Sequence, residues 1–192
     1  MPNVVMLIRH AEKPTGGGPP FGVSDAGVVD PESLTPRGWQ RAGALVRWFG
    51  GGTGPAGSGL PVPTHLFASR IAPRSSSRRP QQTLLPLAES LGLTVDATIP
   101  KPDIGRLAAA ILAIDGVVLV SWEHRLIPSL AATLSGQPSL TPATWPDDRF
   151  DVVWVLERAA AAEPFRFRQV LQRLLAGDSE RPVPTSAPPG PA

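Results

Sequence analysis

The sequence predicts an α/β protein, a three-layer α/β/α sandwich whose central sheet is mostly parallel with an antiparallel edge strand. Two apolar runs carry that expectation. Val4-Val5-Met6-Leu7-Ile8 and Val117-Val118-Leu119-Val120 are short, continuous and rich in β-branched residues, and polar residues follow each closely. Such runs read as strands buried on both faces, and strands of that kind lie inside parallel sheets covered by helices. The third observation comes late in the chain. The runs at residues 150–156 and 165–169 are joined by a connection too short for a crossover, which implies an antiparallel hairpin at a sheet edge.

Each element follows from a local signal. The first strand runs into Arg9, His10 and Pro14, and residues 14–33, rich in glycine, proline and small polar groups, form a long loop over the carboxyl edge of the sheet. Thr35-Pro36 opens a helix, with threonine as cap and proline at the first position. Its apolar face is Trp39, Ala42, Val46 and Phe49, and Gly50-Gly51-Gly52 stops it. Residues 50–63 connect to a short strand, Thr64 to Ser69, with His65 at its start in a structural place. A basic loop, 70–79, leads into a helix with Pro80 in its first turn, where Pro86 is expected to kink the helix or delay its regular start. Residues 93–96 suit an edge-side strand. Asp103 caps a third helix, and a fourth, carrying Ile127, Leu130, Ala131 and Leu134, ends at Gly136. Residues 1–176 are expected to form one domain, and 177–192 a disordered, proline-rich tail with nothing apolar enough to pack.

Composition narrows the function classes. The 192 residues are 42% hydrophobic and include no cysteine, which excludes disulfides, thiolate metal sites and cysteine nucleophiles. No apolar run is long enough for a membrane span. The N-terminus enters the first strand at once, with no basic segment before a long apolar one, so a cytoplasmic protein is expected. A net charge of +2 is too small to argue for nucleic acid, and no membrane partner is expected. Ligands of open parallel sheets bind beyond the strands' carboxyl ends, where Arg9 and His10 fall. A guanidinium beside an imidazole there suits an oxyanion, phosphate above all. The second buried strand likewise delivers His124 to its carboxyl end, ahead of a helix.

Three motifs, in order along roughly residues 4–172, carry a resemblance. They are Leu7-Ile8-Arg9-His10-Ala11-Glu12, Arg79-Pro80-Gln81-Gln82-Thr83, and the strand–His124–helix pattern; Leu34-Thr35-Pro36-Arg37-Gly38 adds to them. The set resembles the histidine phosphatase (phosphoglycerate mutase-like) superfamily. Arg-His-Ala-Glu-Lys-Pro and Trp-Glu-His are similar to a bacterial subgroup of it. Spacing to Thr83 favours Arg79 over Arg78 as the arginine of the second motif, leaving Arg70, Arg74 and Arg78 as a solvated basic loop that attracts anions.

The resemblance implies covalent phosphoryl transfer by a metal-independent phosphomonoester hydrolase with no cofactor. His10 would be the nucleophile, forming a phosphohistidine that water hydrolyses. Arg9 and Arg79 would neutralise the phosphoryl oxygens, and His124 would donate to them. Partners would be a small phosphorylated substrate or a phosphoprotein, with inorganic phosphate as product. The family's proton donor has no clear counterpart, since Arg125 follows His124 where one branch carries an aspartate. Glu123 is one candidate for that role; Asp147, Asp148 and Asp151 are others. The alternative is a non-catalytic phosphate-ligand or protein-binding module that retains the anion pocket.

Overall fold

The computed structural model describes residues 1–50, 59–73 and 75–185. Six strands share one sheet: β1 (Val4–Arg9), β2 (His65–Ala68), β3 (Val95–Asp96), β4 (Val117–Trp122), β5 (Val152–Glu157) and β6 (Arg166–Leu171). Their order is β3-β2-β4-β1-β5-β6. The strands β1 to β4 run parallel, β5 runs against β1, and β6 pairs antiparallel with β5 as the edge hairpin. The four helices are α1 (Pro36–Gly50), α2 (Arg79–Leu91), α3 (Ile104–Leu112) and α4 (Ile127–Ser135).

Alternation along the central strands sends side chains to two separate apolar layers. Val5, Leu7, Val118, Val120 and Trp154 pack with Leu107 and Ile111 of α3 and Leu130 of α4. Met6, Ile8, Leu119, Val153 and Val155 pack with Leu45 and Phe49 of α1 and Leu84 and Leu87 of α2. Both faces of β1 and β4 are therefore covered, which is why their sequences carry no polar alternation. No helix among the described residues is long and apolar enough to cross a membrane.

Helix ends follow the capping signals. Thr35 Oγ1 accepts from Gly38 N at 3.2 Å, and Asp103 accepts from Arg106 N at 3.3 Å. Gly92 and Gly136 end α2 and α4 in the left-handed conformation, at φ 65° and 67°. Gly51 and Gly52 lie outside the described residues. Pro86 does not delay α2, which starts at Arg79 and continues through it to Leu91. His65 sits at the amino end of β2, its Nδ1 3.0 Å from Thr64 Oγ1.

The expected unpacked tail is corrected for residues 177–185; residues 186–192 lie outside the described ones. Gln169 Nε2 donates to the Val183 carbonyl at 2.7 Å and its Oε1 accepts from Val183 N at 2.9 Å, and Val183 is buried. Asp178 forms a 2.7 Å ion pair with buried Arg41, which also reaches Glu12 at 2.7 Å. A single apolar side chain and a buried ion cluster anchor this segment, so its composition alone gives no sign of packing.

Candidate active site

Because Arg9 pairs with Trp122, β1 and β4 end side by side, and His10 N donates to the Trp122 carbonyl at 3.2 Å. The residues just past both ends, His10 and His124, therefore border one cleft of about 90 Å³, together with Lys13, Ser77, Arg79, Lys101 and Glu123. That volume is well below the roughly 300–1,000 Å³ of sites for drug-sized ligands. It suits a group of a few atoms.

The helix α2 is drawn to this cleft by polar contacts that explain its opening motif. Thr83 Oγ1 accepts from Ala11 N at 2.9 Å and donates to the Arg79 carbonyl at 2.7 Å, tying the first turn of α2 to the end of β1. Gln82 bonds Leu34 N and Ser33 Oγ. From the other side, α1 approaches so closely that a Cβ on Gly38 would stand 2.5 Å from the Glu12 carbonyl oxygen. Only glycine admits that approach. No side chain caps the start of α2, where Pro80 carries no N–H and Gln82 N donates to the Arg78 carbonyl at 3.0 Å.

His10 is 6% exposed, and its Nδ1 lies 2.7 Å from the Ala11 carbonyl oxygen. A carbonyl only accepts, so Nδ1 carries the hydrogen and Nε2 keeps its lone pair. Burial pushes the His10 pKa down to about 3, the Ala11 hydrogen bond opposing and Arg9, Arg79 and Lys13 lowering it further. The imidazole is neutral at any ordinary pH.

Arg79, at the first position of α2, donates to the Pro31 carbonyl at 2.6 Å, Ser77 Oγ at 3.1 Å and the Ser33 carbonyl at 3.3 Å. These bonds fix the guanidinium against the long 14–33 loop. Arg78 points elsewhere and pairs loosely with Asp30 at 3.4 Å, so the arginine bordering the cleft is the one favoured by spacing to Thr83. Arg70 is exposed, and Arg74 lies outside the described residues.

Arg9 is placed differently from the expectation of a cleft-lining ligand. It is buried behind the cleft, 3.8 Å over the Phe150 ring, with Nη1 donating to the Asp147 carbonyl and, at 3.4 Å, to those of Pro146 and Arg149. Its Nε and Nη2 are buried with no hydrogen-bond partner. Burial lowers its pKa to about 10 against the pull of Asp147 and Asp148, so the group stays charged. Its positive field reaches both His10 and His124.

His124 Nε2 is 2.5 Å from Asp147 Oδ1, and its Nδ1 is buried without a partner. Burial, then Arg9, lowers the His124 pKa while Asp147 opposes. Asp147 itself is held below the usual carboxylate range by its bond to His124. Glu123 borders the cleft in a 3.0 Å ion pair with Lys101. Asp151 is committed elsewhere, to Arg149 at 2.7 Å and to Ser179 N.

No family model matches the chain, and no curated protein matches it. Solved structures similar to it exist at low identity. "Mycobacterial hydrolase 2" superposes with a TM-score of 0.46 at 15% identity, over 87% of this chain and 88% of that one. A second, titled "Crystal structure of the putative phosphohistidine phosphatase SixA from Agrobacterium tumefaciens", gives 0.47 at 17% identity, over 88% and 94%. At that level neither assigns a chemistry to this chain.

Sequence reasoning did not single out Lys13, Ser77 and Lys101 as cleft residues. Lys13 was in plain view, three residues past His10, beside the motif it extends. Lys101 sits between two prolines after β3 and carries no pattern of its own; only the sheet order brings it to the cleft.

Proposed function

We propose that the chain is a metal-independent phosphomonoester hydrolase acting through a phosphohistidine on His10. The observation that carries this reading is the state of His10: a neutral imidazole with its hydrogen fixed on Nδ1 and its Nε2 lone pair free, in a small cleft ringed by cations. Nε2 forms a bond to phosphorus as the bond to the leaving oxygen breaks, and the departing oxygen takes up a proton. Water then breaks the P–N bond, releasing inorganic phosphate and restoring the imidazole. Arg79 and Lys13 hold the phosphoryl oxygens, the electrostatic task that dominates phosphoryl transfer. Arg9 adds positive potential from behind, its Nε and Nη2 buried and without partners. His124 borders the same cleft, with Asp147 fixing its ring. Glu123, which borders the cleft, is the candidate proton donor for the leaving oxygen.

The Lys101–Glu123 ion pair favours a second reading, a phosphate-binding module without turnover, because a carboxylate already engaged by an ammonium is a poor source of protons. One experiment separates the two. Phosphate release from an activated aryl phosphate is measured in excess chelator for the wild type and His10→Ala. Chelator-resistant turnover that vanishes in the variant supports the hydrolase. Phosphate binding without turnover in either protein supports the module, and turnover that survives in His10→Ala removes His10 from the chemistry.

A further inference from the structure

The cleft at His10 has room for a phosphoryl group and little more, yet it does not end at a wall. A second hollow, of about 480 Å³, adjoins it, and Lys101 and Glu123 border both. A substrate larger than phosphate that is bound at His10 and extends past that ion pair meets this hollow. The hollow's floor and sides are apolar or nearly so: Ala72, Pro100, Pro102 and Leu126. It is held open by fixed contacts, since Arg70 N donates to the Ile99 carbonyl at 2.9 Å and Trp122 Nε1 donates to the Lys101 carbonyl at 3.1 Å.

Its charge is unbalanced. Of the four charged residues that border it, Lys101 and Glu123 neutralise each other at 3.0 Å. That leaves Arg70 and Arg125. Arg70 is exposed and makes no ion pair among the described residues, and Arg125 has only a 3.9 Å contact with exposed Asp147. Ser75 also borders the hollow, and its Oγ is buried with no hydrogen-bond partner. Apolar walls with two uncommitted guanidinium groups suit a compact apolar body that ends in an anion.

We propose that this hollow binds the leaving-group half of the substrate, and that this half is a small aryl or alkyl body bearing a carboxylate. The assignment rests on the hydrolase reading for its orientation: phosphoryl group at His10, bridging oxygen beside Lys101 and Glu123, carboxylate toward Arg70 and Arg125. It also accounts for the proton-donor position, because the bridging oxygen crosses from one cavity to the other at Glu123.

The test compares three aryl phosphates with leaving groups of nearly equal acidity. They are phenyl phosphate, 4-(2-carboxyethyl)phenyl phosphate and its uncharged carboxamide analogue. The expected result is a kcat/KM about tenfold higher for the carboxylate than for the carboxamide, the size of one charge-assisted contact at a partly exposed site. That preference disappears in the Arg70→Gln/Arg125→Gln double variant, while phenyl phosphate turnover stays within about twofold. Calorimetric Kd values for the matching non-hydrolysable phosphonates read the same preference without chemistry. A preference seen with the phosphonates and lost in the double variant sustains the hollow even if none of the phosphates turns over, in which case the hydrolase reading falls alone. Equal Kd values for carboxylate and carboxamide phosphonates, or a preference indifferent to the two arginines, overturns the proposal.

Discussion

His124 Nε2 and Asp147 Oδ1 stand 2.5 Å apart, although they come from different elements, the turn after β4 and the segment before β5. Asp147 is in turn positioned by Arg9, which grips the backbone carbonyls of Pro146, Asp147 and Arg149. One histidine is thus oriented through a segment that the arginine beside the other histidine holds in place.

Replacing Asp147 with Asn removes the one carboxylate that supports a protonated His124, while burial and Arg9 continue to lower its pKa. The midpoint of the His124 ring signal in an NMR titration is therefore expected to move to lower pH in Asp147→Asn. Turnover is expected to fall about tenfold through loss of ring orientation. A midpoint that stays put would show that the pair is not formed in solution.

The buried neutral state of His10 makes stability depend on pH. Its folded pKa, about 3, lies below the ordinary 6.5, so between those values the unfolded chain binds the proton and the folded protein does not. The sign is then fixed: the His10 contribution is complete above pH 6.5 and is lost progressively as the pH falls toward 3. Urea unfolding at several pH values should show the wild type losing stability on acidification more steeply than His10→Asn. The excess slope is up to about 1.4 kcal/mol per pH unit. Parallel curves for the two proteins would contradict a buried neutral imidazole.

Thr83→Val keeps the shape but leaves Ala11 N without its acceptor, at the base of the cleft. The expected cost is about 1–3 kcal/mol of stability, the penalty for stranding a buried donor. Turnover should also fall, because α2 and Arg79 are no longer tied to the end of β1. Thr83→Ser, which retains the hydroxyl, is expected to recover most of both. If Val and Ser variants behave alike, the hydroxyl does not link the two elements.

Arg41→Met removes the buried cation between Glu12 and Asp178 and leaves them only the exposed Arg37, at 3.2 and 3.6 Å. Breaking such a cluster from one side is expected to cost about 3–5 kcal/mol in chemical denaturation. Burial opposes ionisation of Asp178 most, but the hydrogen bond and charge of Arg41 and the N–H groups of Leu174 and Leu175 together outweigh it and lower the pKa. The Asp178 contribution is thus full above about pH 3.9 and fades as the pH drops below it. The double variant Arg41→Met/Asp178→Asn should recover part of the loss; no recovery would place the effect outside this cluster.

The legible parts of the molecule were those whose signal is local. β1 and β4 announce themselves because burial on both faces leaves nothing polar in them. His10 and His124 could be located because each is delivered by such a strand, and helix starts at Thr35 and Asp103 because caps are adjacent to what they cap. Long-range partnerships were not legible. Nothing near His124 in sequence marks Asp147 as its hydrogen-bond acceptor, and nothing near Lys101 marks it as a neighbour of Lys13. Arg9 was read from its place beside His10, but the direction of its guanidinium is set by Phe150 and the carbonyls of residues 146–149, well over a hundred positions away. The segment around Val183 was misread for a related reason: a glutamine side chain takes the place of a neighbouring strand, an arrangement composition cannot register.

The position of β1 governs when the site can come into being. Val4 pairs on one side with Val117 and on the other with Glu157, so β1 is enclosed only by strands that follow it by more than a hundred residues. Contacts of such long sequence separation require large loops to close before they contribute any free energy, which slows folding. Until those strands are in place, both flanks of the apolar β1 segment are unpaired, a template open to other strands. A fragment ending before β5 would carry every motif of the cleft and still leave one flank of β1 without its partner strand.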